Sequence, residues 1–260
     1  MKLFDTHTHY DDEKFDLPEG PDRVERIAAL FRDEVGWMLG VSVDGASGDF
    51  QIGMASRFPG YYAAVGIHPQ NCGEIADRDE ALARIAEQAR QPRVVAIGEI
   101  GLDYHWEEPP RALQQYFFEK QLALAESLGL PVIIHDRDAH GATFETILRY
   151  PGLVGVLHSY SGSAEMAREL TKRGWYISFS GVITFKNAGR LAEVVKSVPA
   201  DRILIETDCP YLAPEPVRGR LNHSGNLKYT AARAAALRGE DYEAFAEATS
   251  ENARRLFGIV

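Results

Sequence analysis

Asp5-Thr6-His7-Thr8-His9 closes the first short apolar run of the chain, Lys2-Leu3-Phe4. Side chains of an extended strand alternate with period two, so His7 and His9 fall on one side and their imidazoles can share one cation. A His-x-His pair also occurs in ordinary strands, so its meaning depends on what the rest of the chain brings beside it. This run is the first of eight. Apolar runs predict strands over Leu3 to Thr6, Trp37 to Val43, Tyr61 to Val65, Val94 to Gly98, Val132 to His135, Gly155 to Leu157, Tyr176 to Phe179 and Ile203 to Ile205. Helical patterns lie between them, over Asp22 to Arg32, Gly48 to Arg57, Asp79 to Arg90, Pro110 to Leu128, Gly141 to Arg149, Ala164 to Lys172 and Ala188 to Ser197. A last helical region runs from about Lys228 to Leu256, interrupted at Arg238-Gly239-Glu240.

Strand and helix alternating in this way, without a Pro/Gly/Ser linker, predict an α/β fold: a TIM-like (β/α)8 barrel forming a single domain over residues 1–260. An open doubly wound sheet is the competing architecture. It lacks support, because Asp-Thr-His-Thr-His occupies the first strand-to-helix junction, where a nucleotide-binding sheet carries Gly-x-Gly-x-x-Gly.

Hydrophobic residues make up 45% and charged residues 25% of the 260, the balance of a soluble globular protein. The opening Met1-Lys2-Leu3-Phe4-Asp5 has no apolar leader, and no apolar run approaches the roughly 18 residues of a membrane span. The expectation is a cytoplasmic protein without membrane association, monomeric by default. Cys72 and Cys209, the two cysteines, read as free buried thiols. A formal net charge of −10 opposes long-range attraction to nucleic acid. Divalent cations loaded into an acidic pocket would reverse that sign locally.

Polar residues gather just after the proposed strands, the catalytic end of a barrel. His7 and His9 follow the first, Gly66-Ile67-His68-Pro69-Gln70 the third, and Gly98-Glu99-Ile100-Gly101-Leu102-Asp103-Tyr104-His105 the fourth. His135-Asp136-Arg137, His158-Ser159-Tyr160-Ser161-Gly162 and Glu206-Thr207-Asp208-Cys209-Pro210 follow the fifth, sixth and eighth. His135 or His158 alone could be a satisfied histidine at a strand end. Glu99 sits among Val94, Val95, Ala96, Ile97 and Ile100, where a carboxylate is costly unless paired or metal-bound, and Asp208 after Ile203-Leu204-Ile205 meets the same objection. Nitrogen and oxygen ligands without thiolates suit Mg2+, Mn2+ or Zn2+. Four histidines and two carboxylates exceed the needs of one tetrahedral ion, so two divalent metal ions bridged by Glu99 are expected.

These segments, together with Glu206-Thr207-Asp208-Cys209-Pro210-Tyr211-Leu212, resemble the TatD-type metal-dependent deoxyribonucleases of the amidohydrolase superfamily, in order and over essentially the whole chain. The resemblance implies a TIM-like barrel, a divalent-metal centre, and hydrolysis of DNA phosphodiesters by a metal-bound hydroxide, often as a 3′-to-5′ exonuclease acting on single-stranded DNA or 3′ ends. It implies His7, His9, Glu99, His135, His158 and Asp208 as metal ligands and His68 beside the scissile phosphate. One departure is plain. The family commonly follows Pro-x-Arg-Gly with Asn-Glu-Pro, whereas this chain reads Pro216-Val217-Arg218-Gly219-Arg220-Leu221-Asn222-His223-Ser224.

The residue chemistry agrees with that reading. Asp208 can act as ligand and proton acceptor, His68 can hydrogen-bond the phosphate, and Arg218, Arg220 and Asn222 are candidates for substrate contact. The arginines could equally be a solvated surface pair. Of Tyr104, Trp106, Tyr160 and Tyr211 most are expected to pack the barrel mouth rather than stack on bases. Lys186 and Lys228 are expected to add positive charge near that face. An amidohydrolase-type enzyme for a small amide, ester or lactone is the alternative; many of those bridge their metals with a modified lysine where this chain has Glu99.

Overall fold

The strands alternate their side chains between an outer layer, which meets the helices, and the barrel interior. The computed structural model describes residues 2–16, 21–32 and 35–260. Met1, counted within the expected domain, lies outside the described residues, as do positions 17–20 and 33–34. Eight parallel strands follow one another in chain order: β1 Leu3–Thr8, β2 Val35–Val41, β3 Tyr61–Val65, β4 Val94–Asp103, β5 Val132–Arg137, β6 Gly155–Leu157, β7 Tyr176–Phe179 and β8 Ile203–Ile205. Just past β8 a parallel bridge joins Cys209 to Thr8 of β1. There His9 N–H donates to the Cys209 carbonyl (2.8 Å) and Asp208 N–H to that of His7 (3.0 Å). The sheet thereby curls into the expected barrel.

The helices are α1 Arg23–Leu30, α2 Gly45–Arg57, α3 Arg78–Gln88, α4 Arg111–Leu128, α5 His140–Ile147, α6 Ala164–Lys172, α7 Gly189–Ser197, α8 Leu227–Arg238 and α9 Tyr242–Phe257. The break expected at Arg238-Gly239-Glu240 separates α8 from α9: Gly239 ends the first at φ 68°, and Asp241 caps the second by accepting from Glu243 and Ala244 N–H. α2 starts before the expected Gly48 because Asp44 and Ser47 form a capping box.

Leu3, Met38, Tyr61, Ile97, Ile134 and Ile177 join Ile27, Ile85, Phe117 and Leu122 of the helices in the outer core. The intervening Phe4, Leu39, Ala64, Ala96, Ile133 and Leu204 fill the barrel, where Leu256 and Phe257 of α9 pack against them. Phe4 lies 6.1 Å from Trp37 and 6.3 Å from Phe257 between ring centroids. No helix among the described residues is long and apolar enough to cross a membrane.

Three strands run past their expected ends. β1 continues to Thr8 and β5 to Arg137, while β4 continues from Gly98 to Asp103. Ile97 pairs with Val132 but Ile100 pairs with Ile134, so β4 spends one extra residue over this stretch. That irregularity at Gly98-Glu99 re-aims the side chains that follow. A Cβ on Gly98 would stand 2.6 Å from Cβ of Ile133, and one on Gly101, at φ 146°, 2.0 Å from the His135 carbonyl oxygen. Glycine on either side of Glu99 lets β5 approach this closely.

Candidate metal centre

Each residue of Asp5-Thr6-His7-Thr8-His9 is tied to a neighbouring segment. Thr6 Oγ1 donates to the Ile205 carbonyl (3.0 Å) and Thr8 Oγ1 to that of Leu39 (3.0 Å). Asp5 accepts from Thr207 N–H at 2.9 Å and from its hydroxyl at 2.6 Å, clamping β1 to the loop that carries Asp208. Burial raises the Asp5 carboxyl to about 7 despite those bonds. Asp208 itself lies at φ 56°, in the left-handed region that Asp tolerates better than most residues.

Glu99 is the hub. Its Oε1 lies 2.7 Å from His135 Nδ1, 2.7 Å from His158 Nε2 and 3.6 Å from His68 Nε2. Its Oε2 lies 3.3 Å from His7 Nε2 and 3.6 Å from His9 Nε2. Asp208 Oδ1 completes the group at 3.5 Å from His9 and 3.9 Å from His7. His7, His9 and Asp208 form one compact triad of donor atoms, His7, Glu99 and His158 a second, and His68, Glu99 and His135 a third. All but the fully buried His7 face a cavity of about 410 Å³ that also receives Asp11, Asp12, Asp103, Trp106, Arg137 and Tyr211.

The far nitrogens of the rings decide what the near ones present. His9 Nδ1 donates to the Val41 carbonyl (2.9 Å), His158 Nδ1 faces Glu206 Oε1 (3.2 Å), and His135 Nε2 faces Asp103 Oδ2 (3.3 Å). With those partners holding the far nitrogens, the near nitrogens of His9, His135 and His158 converge on Glu99, and His9 Nε2 stands 3.0 Å from that of His7, whose buried Nδ1 has no hydrogen-bond partner among the described residues. Imidazole nitrogens converging on one carboxylate make a donor set that fits a divalent ion once their protons leave. His68 is oriented the other way. Its Nδ1 accepts from Gln70 N–H (3.1 Å), so Nε2 carries the hydrogen and points into the cavity as a donor.

Charge in the cage follows the same geometry. Burial by itself would raise Glu99, but His158, His68 and His7 together with the His135 hydrogen bond hold it well below the usual carboxylate range. Burial depresses the His9 imidazole, yet the Asp208 bond and Glu99 lift it to about 9. Burial pushes His68 down to about 3, keeping it neutral. Protons on the imidazoles thus balance the carboxylates, and binding a divalent ion would release them.

Residues 4–258 match the family model described as TatD related DNase. The chain belongs to the TatD-related DNase family. It is 43% identical over 260 residues, 99% of each chain, to YabD, an uncharacterized metal-dependent hydrolase of Bacillus subtilis. It is 36% identical over 266 residues, 98% of this chain and 97% of the other, to the 3′-5′ ssDNA/RNA exonuclease TatD of Cronobacter sakazakii. The crystal structure of YjjV, a TatD homolog of Escherichia coli K12, superposes with a TM-score of 0.88 at 29% identity, covering 99% of this chain and 98% of that one.

The six residues that family resemblance pointed to, with His68, gather around Glu99, and all but His7 line the cavity. The expected substrate contacts behave differently. Asn222 is buried and its amide is spent: Nδ2 donates to the Thr207 and Tyr211 carbonyls (3.0 and 2.6 Å) and Oδ1 accepts from Asn226 Nδ2 (3.0 Å). It clasps the loop around Asp208. Arg218 and Arg220 are exposed and do not line the cavity; the Arg218 guanidinium lies 3.8 Å from the Phe185 ring centroid. Tyr160 is buried, as expected of a packing residue, whereas Trp106 is 55% exposed. Both cysteines are free and buried. Sequence reading passed over Asp5, Asp103 and Glu206 as working residues. Each stands within two residues of a candidate ligand or on the same short segment, and a carboxylate so placed in an apolar strand is the signal that could have found them.

Proposed function

We propose that this chain hydrolyses DNA phosphodiesters as a 3′-to-5′ exodeoxyribonuclease and holds two divalent ions, Mg2+, Mn2+ or Zn2+. The observation that carries this reading is the Glu99 carboxylate, whose two oxygens face separate sets of imidazoles. His7, His9 and Asp208 would hold one ion and His135 and His158 the other, with Glu99 shared. Divalent ions there would neutralise charge developing on the phosphate and activate water for attack on phosphorus. Asp208, at the cavity edge, is placed to take a proton from a water bound there. His68 Nε2–H donates to a phosphate oxygen, a role its neutral state and fixed tautomer suit. Glu206 and Asp103 keep His158 and His135 oriented. The relative named as an ssDNA/RNA exonuclease supports the substrate class.

The test compares single-stranded DNA, RNA and small esters, amides and lactones across the three metals. Wild-type protein should degrade single-stranded DNA from its 3′ end, and Asp208→Asn should lower that rate by roughly 10²- to 10⁴-fold with an unchanged circular dichroism spectrum. Intact DNA beside cleaved lactone or amide would overturn the assignment in favour of a small-molecule hydrolase.

A further inference from the structure

The cavity that receives Glu99, Asp103 and Asp208 has Arg137 as the one lysine or arginine on its described lining. Arg137 ends β5 two residues beyond His135, is exposed, and its guanidinium makes no hydrogen bond or salt bridge with the described residues. An arginine without a hydrogen-bond partner among the described residues, beside a carboxylate-rich pocket, is shaped for a phosphate. Next to it stands Trp106, with the Arg137 Cζ 5.9 Å from the indole centroid and the His105 ring packed edge-on at 4.9 Å and 88°. The indole is 55% exposed on the same cavity. Tyr211, the other exposed aromatic on the lining, is already engaged: its hydroxyl donates to Asp12, and Lys14 Nζ covers its ring at 3.9 Å from the centroid.

We infer that Trp106 and Arg137 form a nucleotide clamp that gives this site its preference for unpaired DNA ends, Trp106 stacking the base and Arg137 anchoring the phosphate of a nucleotide next to the scissile bond. The inference rests on the nuclease reading above. A base inside a duplex has both faces stacked, and the end base of a blunt duplex is held in place by its pairing partner, whereas an unpaired base can turn onto the indole, so the ring selects for single strands by shape rather than sequence. Arg137 supplies at one point the positive charge that the acidic lining otherwise withholds.

Trp106 also provides its own probe, since Trp175 is buried and Trp37 packs against Phe4 at the far end of the barrel. The experiment titrates the metal-loaded protein with an oligothymidylate carrying a phosphorothioate at its 3′-terminal linkage, following tryptophan emission. In parallel it measures kcat/KM on single-stranded and blunt duplex 3′ ends. Quenching by the single strand, lost in Trp106→Phe, is expected. Trp106→Ala should lower the single-strand to duplex ratio of kcat/KM by roughly 5- to 150-fold, the value of one base–aromatic stack, with Trp106→Phe restoring most of it. Arg137→Met should raise KM on single strands and reduce the slope of log KM against log salt by about 0.7, as for one lost phosphate contact. DNA cleavage with no quenching and an unchanged ratio in Trp106→Ala would overturn the clamp and leave the nuclease reading standing. Absence of both binding and cleavage would overturn the two together.

Discussion

The two ends of the barrel interior are built from the same strands and obey opposite rules. At the lower end Phe4 packs with Trp37 and Phe257, and the space is apolar. At the upper end His7, three residues further along β1, stacks on His158 at 4.0 Å between centroids and faces Glu99. The lower end gains stability by excluding water from hydrocarbon. The upper end gathers carboxylates and imidazoles, which are costly to bury unless something positive joins them. Stability and function are thus separated along a strand by a few residues, and the two ends should respond differently to substitution.

The sharpest break between them is at the bottom. Phe257→Ala should cost about 3–5 kcal/mol through the cavity it leaves, lowering the melting temperature by roughly 6–20 °C. The turnover number per folded molecule should stay at the wild-type value; a fall in turnover measured well below the melting temperature would show that the ends are coupled. At the top, divalent metal should act as the missing partner. Saturation at 100 times Kd should stabilise the fold by about 2.7 kcal/mol, seen as an upward shift in thermal unfolding that a chelator reverses and that Glu99→Gln removes. Equal melting with and without metal in the wild type would count against a centre held by Glu99. The supporting carboxylates should matter less than the hub. Glu206→Gln removes the charge facing His158 Nδ1 and should weaken metal affinity by roughly 10- to 100-fold in calorimetric titration.

The smallest expected effect lies on the rim, outside the cage. His140 Nδ1 meets Asp136 Oδ2 at 2.7 Å, and that hydrogen bond, with Asp136 and Asp138 nearby, raises the imidazole above its ordinary value against partial burial. A raised folded value means the contribution is fully present below the unfolded value of about 6.5 and is lost as pH rises through the folded one. His140→Ala should therefore be less stable than wild type by only a few tenths of a kcal/mol at pH 5.5, and the gap should close by pH 9. A gap of the same size at both pH values would show that packing rather than charge sustains it.

The barrel was legible because its code is local. Eight apolar runs spaced by amphipathic stretches follow from strand and helix periodicity, and a helix between parallel strands has one favoured hand. The candidate ligands were legible for a related reason: in a parallel barrel every strand end faces the same rim, so position in the chain translates into place in the molecule. The ends of β4 and β5 were less visible, since the irregularity at Gly98-Glu99 depends on how closely β5 approaches, which periodicity along one strand does not encode.

By itself, then, the sequence determined the order of strands, the rim on which His7, His9, Glu99, His135, His158 and Asp208 would meet, and through its motifs the family. Only the tertiary structure decided what each ring does there. The tautomer of an imidazole is set by whatever touches its far nitrogen, and those partners, Val41, Gln70, Asp103 and Glu206, come mostly from other segments. The same dependence on distant partners turned Asn222 inward, left Arg218 and Arg220 outside the cavity, and brought Arg137 and Trp106 to its wall.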